Sequence, residues 1–80
     1  MPGSIHAASV ETSPRLQRVL RVLEDGGEHS TFDIIREAQV AAVNAAVAEL
    51  RAAGAEIECR QGQERGQKRF FYKMTKGPDA

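Results

Sequence analysis

A single cysteine, Cys59, excludes any disulfide within the chain, and with only two histidines, His6 and His29, the usual zinc-binding spacings cannot be assembled. No metal and no other cofactor is expected. Tryptophan is absent and there are only three phenylalanines and one tyrosine, so a core must be built mostly from aliphatic side chains. No apolar run approaches the ~20 residues that span a bilayer. The opening MPGSIHAASVETS lacks the basic start and apolar middle of a signal peptide. A cytoplasmic chain without membrane contact is the expectation. Formal net charge is zero, which removes the crudest electrostatic mark of nucleic-acid binding. There is no paired carboxylate, Ser/His or Cys/His set, or GxxxxGK phosphate loop, so an enzyme is not expected.

What remains is the composition of an ordinary folded domain, 41% apolar and 28% charged over 80 residues. One domain at most fits this length, burying roughly 60% of the surface its unfolded chain exposes. The charge is unevenly placed. Arg60, Arg65, Lys68, Arg69, Lys73 and Lys76 crowd the C-terminal part against Glu64 and Asp79 alone, whereas the preceding residues are acidic on balance. A local basic field of this kind acts on a polyanion within a Debye length whatever the net charge.

Residues 1–12 are small, polar and aperiodic, and read as a flexible arm. In SPRLQRVLRVLEDGG, Ser13 can cap, Pro14 suits the first helical position, and Leu16, Val19, Leu20 and Leu23 fall at helical spacing. Arg15, Arg18 and Arg21 give this helix a basic side, read as a solvated face. Glu28 to Ser30 can form a short strand. Ser30 and Asp33 then make a loose capping box for a second helix expected to bury Phe32, Ile35 and Ala38, with Ile34 on its flank.

Gln39 and Val40 carry a short turn into a third helix expected from Ala41 to Ala53 and closed by Gly54. Its buried stripe is Val43, Val47 and Leu50. The opposite face holds Ala41, Ala45, Ala48 and Ala52, flanked by Asn44 and Glu49, and is almost bare of side chains. Two alternating segments follow. AEIECRQ places Ile57 and Cys59 on one face, with Cys59 read as a small buried apolar residue. RFFYKM places Phe70, Tyr72 and Met74 together, with Phe70 and Tyr72 read as core aromatics. GQERGQK between them reads as a flexible tip, and His29 as a surface residue.

STFDIIREAQVAAVNAAVAELRAAGAEIECR followed by RFFYKM resembles the winged helix-turn-helix domain, and is similar to short bacterial and prophage helix-turn-helix proteins. The resemblance covers Pro14 to Met74. It implies an α+β fold of three helices with a C-terminal two-stranded β-hairpin wing and room for a short third strand before the second helix. The domain would span 13–75, with 76–80 a flexible tail. It also implies a transcriptional regulator or phage accessory factor that places the third helix in the major groove of double-stranded DNA.

On that footing Gln39, Ala41, Asn44, Ala45 and Ala48 are the candidate base contacts. Small side chains let the backbone approach, an alanine methyl can meet a thymine methyl, and Asn44 suits an adenine edge. Arg36, Arg51, Arg65, Lys68 and Arg69 are the candidate phosphate contacts. Glu49 on the same face would be repelled by phosphate. An alternative is a protein-interaction module, a homodimer or another partner meeting the alanine face or the hairpin edge.

Overall fold

The computed structural model describes residues 13–79. Its elements run α1 (Pro14–Leu23), β1 (Glu28–Ser30), α2 (Thr31–Ala38), α3 (Val43–Ala52), β2 (Glu56–Glu64) and β3 (Gln67–Lys76). The three strands form one antiparallel sheet in the order β1-β3-β2, so this is a small α+β fold. Among the described residues no helix is long and apolar enough to cross a membrane. The arm expected over residues 1–12 lies outside the described residues.

α1 starts where its sequence supplies a cap: the Ser13 hydroxyl accepts from the Leu16 amide at 3.2 Å, and Pro14 follows. α2 starts in the same way, Ser30 Oγ accepting from the Asp33 amide at 3.0 Å. The Asp33 carboxylate then turns to Arg36 rather than back to the cap. α3 has no such device. No side chain caps its start at Ala42, and the helix begins at Val43, two residues later than the composition suggests. Ala41 is therefore in the loop.

Its far end is closed by a Schellman pattern, the Gly54 amide donating to Arg51 O and the Ala55 amide to Leu50 O, each at 3.0 Å. Gly54 holds φ +105, and a Cβ there would lie 2.2 Å from the Asp79 carboxylate. The residues after β3 thus return to the helix end, where the Asp79 amide also donates to Ala53 O at 2.8 Å.

The core is aliphatic, as the shortage of aromatics requires. Leu16, Val19, Leu23, Ile34, Ala38, Ala46 and Leu50 have no exposed surface, and Val43, Val47, Ile57, Tyr72 and Met74 close around them. Each large aliphatic side chain buried this way contributes about 1.5–3 kcal/mol.

The side of α2 that packs differs from expectation. Ile34 and Ala38, one turn apart, face the core, while Phe32 is 54% and Ile35 38% exposed. The Ser30 cap fixes the helix phase, and that phase points Ile34 inward. Two strand positions are also corrected. Cys59 and Phe70 lie on the inward face of the hairpin, yet Cys59 is exposed and Phe70 is 50% exposed. Both line an open cleft between the hairpin and α3, which leaves them exposed although Tyr72, the cross-strand partner of Cys59, is buried. The alternation is legible in the sequence, but the cleft is not.

The hairpin tip is tighter than a flexible loop. β2 continues through Glu64 and β3 starts at Gln67, leaving Arg65 and Gly66 as a two-residue turn with φ +54 and +78. Two left-handed central residues mark the type I′ turn, whose twist matches that of paired strands. Nine paired residues of β2, at about 3.4 Å rise each, make an arm that extends beyond the helices.

Candidate nucleic-acid interface

The α3 face that points away from the core is bare, with Ala45, Ala48 and Ala52 exposed. Ala41 is exposed as well, in the preceding loop. Its two flanks differ. On the α1 side Glu49 is paired with Arg15, which removes most of the repulsion a lone carboxylate would exert on phosphate. The basic side of α1 is therefore only partly solvated: Arg15 holds Glu49, and Arg18 Nε donates to Ala38 O at 2.8 Å, which closes the end of α2.

On the hairpin side Asn44, Val47 and Arg51 face Cys59, Phe70 and Tyr72 across a cleft of about 280 Å³. Asn44 stands at its rim. The Tyr72 hydroxyl donates to Asn44 Oδ1 at 2.7 Å, a contact between residues 28 apart in the chain. Burial pushes the Tyr72 phenol above its ordinary pKa, with the nearby Cys59 adding to the shift, so the hydroxyl keeps its proton at neutral pH.

Arg51 is not a free cation. Its Nε and Nη2 both donate to Ile57 O, at 3.2 and 2.6 Å, so the guanidinium ties the end of α3 to the edge of β2. Arg36 and Arg69, far apart in sequence, meet at one ring: their guanidinium carbons lie 5.9 and 5.4 Å from the Phe32 centroid. Arg36 also pairs with Asp33 at 3.0 Å, and Arg69 Nε lies 3.5 Å from Glu64. Arg65 and Lys68 stand at the tip, exposed, and neither makes an ion pair with another described residue.

Gln39 is exposed and occupies the left-handed cap of α2, at φ 56 and ψ 47, four residues before α3 begins. It belongs to the turn rather than to the third helix. Of the ten candidate contacts, then, Asn44, Ala45 and Ala48 share α3 and Arg36 and Arg69 share Phe32. Arg65 and Lys68 share the tip. Gln39 and Ala41 lie in the interhelical turn, and Arg51 is withdrawn into a structural contact.

The outer sheet face has a different arrangement. Arg60 crosses β3 to bind Glu28 through both Nε and Nη2, at 2.8 and 2.7 Å, with its guanidinium 4.8 Å from the Phe71 centroid. The hydrogen bond from Arg60 holds the Glu28 carboxyl below the ordinary glutamate range. His29, expected at the surface, is half-buried and shares a 2.9 Å hydrogen bond with Asp25. Among the described residues no group of three His, Cys, Asp or Glu side chains converges on a metal-sized site.

Three features escaped sequence reasoning: the exposed Phe32 and Phe70, the double stack on Phe32, and the bond from Tyr72 to Asn44. Only the first left a trace, since Phe32 is two residues past a capping serine and could have been phased from it. Compared with known proteins, the chain matches no family model, no curated protein and no solved structure.

Proposed function

We propose that the chain is a DNA-binding module of winged helix-turn-helix type, a small regulator or accessory factor in which α3 lies in the major groove and the β2-β3 hairpin is the wing. The observation that carries this is the pairing of a bare helix face with a protruding hairpin whose tip carries Arg65 and Lys68, neither in an ion pair with another described residue. A groove about 12 Å wide admits an α-helix, and the exposed Ala45, Ala48 and Ala52 let its backbone come close to the bases. Arg65 and Lys68 are free to take phosphates, with Arg36 and Arg69 a second basic pair. The Arg15–Glu49 ion pair supports the same reading, because it screens the one carboxylate on the helix face. Arg51 is dropped from the phosphate contacts.

Titration with duplex DNA at two salt concentrations tests the proposal. Affinity should fall steeply as salt rises, and Arg65→Ala or Lys68→Ala should each lower the slope by about one unit, since each phosphate neutralised releases about one counterion. Weak binding without salt dependence would contradict it.

A second reading has one specific observation in its favour. Phe32, Ile35 and Phe70 are large apolar side chains left exposed, which suits a protein partner or a second copy. Sedimentation of the chain alone distinguishes self-association from DNA binding by a monomer.

A further inference from the structure

We infer that Tyr72 fixes the hydrogen-bonding sense of Asn44 and so makes α3 prefer a guanine edge over the adenine edge that an unconstrained asparagine favours. This deepens the DNA-binding reading above and rests on it.

A carboxamide carries an acceptor on one arm and a donor pair on the other. An asparagine free to turn can present both to adenine, whose major-groove edge offers N7 as acceptor and N6 as donor. Asn44 is exposed but already has a partner. The Tyr72 hydroxyl donates to its Oδ1 at 2.7 Å, which draws the acceptor arm toward the cleft and leaves Nδ2, with its two N–H groups, as the outward arm.

Tyr72 is well placed to hold that orientation. It lies on the central strand, opposite Cys59 of β2 and His29 of β1, and is only 5% exposed. Its ring cannot follow Asn44 outward, and its phenol stays protonated and able to donate. Asn44 therefore meets DNA as a donor. Guanine presents two acceptors side by side, N7 and O6, whereas adenine sets an N6 donor beside N7, where it would face the amide donors. Arg51, the other polar side chain on this flank, has its guanidinium folded onto Ile57 O. It does not compete for the base.

Tyr72 is in this sense a positioning residue, acting on the base only through Asn44. Selection from a randomised duplex library, run in parallel with wild type, Tyr72→Phe, Asn44→Ala and Asn44→Asp, tests the assignment. Wild type should enrich guanine over adenine at one position by about tenfold, the discrimination typical of a good paired base contact. Tyr72→Phe keeps the ring and releases the amide, so the ratio there should fall toward one. Asn44→Ala should lose the preference at that position alone. Asn44→Asp keeps the acceptor for Tyr72 but removes the donors, and should reject guanine. Replacing that guanine with 7-deazaguanine should weaken wild-type binding.

Enrichment of adenine by wild type overturns the inference, as does an unchanged guanine preference in Tyr72→Phe. A preference that Asn44→Ala leaves intact overturns it too, while leaving DNA binding in place. If instead no sequence is enriched and affinity is indifferent to salt, the DNA reading itself fails and takes the inference with it.

Discussion

The two ends of the β2-β3 hairpin use the same residue types in opposite ways. At the base, Ile57, Tyr72 and Met74 are buried under the helices, and the nearby arginines are committed: Arg51 to Ile57 O, Arg60 to Glu28. At the tip, Gln63 to Lys68 are all exposed, and Arg65 and Lys68 have no acidic partner among the described residues. Arg51 and Arg60 hold elements of the fold together. Arg65 and Lys68 at the tip make no ion pair among the described residues. Sequence alone shows one basic C-terminal segment, and only the pairing divides it in two.

The sharpest way to break this contrast is to damage the packed end. Leu50 has no exposed surface and also supplies the carbonyl that closes α3. Leu50→Ala should cost about 2–5 kcal/mol, the range for emptying a buried leucine site, as read by urea denaturation. A loss below 1 kcal/mol would mean that the core is not packed as described. Ser30→Ala comes next. It removes a buried cap at the junction of β1 and α2, with an expected loss of about 1 kcal/mol.

The tip should behave in the opposite sense. Arg65 occupies a left-handed position at φ 54, which asparagine tolerates better than arginine. Arg65→Asn should therefore raise stability by roughly 0.5–1 kcal/mol, given a cost of about 1–2 kcal/mol for left-handed backbone at an ordinary residue, while weakening duplex binding. A stabilised variant with unchanged binding would leave the strained arginine without a functional reason. Such backbone outliers persist where something other than stability favours them.

The smallest effect concerns the base again. The Glu28 carboxyl is held low in the folded state by Arg60, so the pair stabilises the fold above the ordinary glutamate range, and that contribution fades as pH falls from that range through the lowered folded value. Glu28→Gln should flatten the decline in stability between neutral pH and about pH 3, over which ordinary carboxyls titrate. An equal decline in both proteins would show the bidentate contact to be thermodynamically silent, as many surface pairs are.

Much of the architecture was legible in the sequence because its signals are local. Ser13–Pro14 and Ser30 with Asp33 mark helix starts, Gly54 marks a helix end, and the valines and Leu50 of α3 mark its inward stripe. Reading failed where the outcome depends on what lies across a gap. Cys59 and Phe70 alternate correctly with their neighbours, but their exposure comes from the open cleft between the hairpin and α3. Phe32, Ile35 and Ala38 follow helical spacing as well as Ile34 and Ala38 do, and only the packing shows that the Ile34 side faces inward. The candidate interface was less legible still. Charge told which residues are cations, but not that Arg51 would fold onto Ile57 O or that Arg36 and Arg69 would meet at one ring. The Tyr72–Asn44 bond joins side chains that no periodicity relates.

The most direct test is an NMR titration of the chain with a random-sequence DNA duplex, followed residue by residue. Shift changes should cluster on the exposed side of α3, at Asn44, Ala45 and Ala48, and on the Arg65 to Lys68 tip, and should fade as salt is raised. Shifts confined to Phe32, Ile35 and the outer sheet face, or none at all, would contradict the assignment of α3 and the hairpin tip as a nucleic-acid surface.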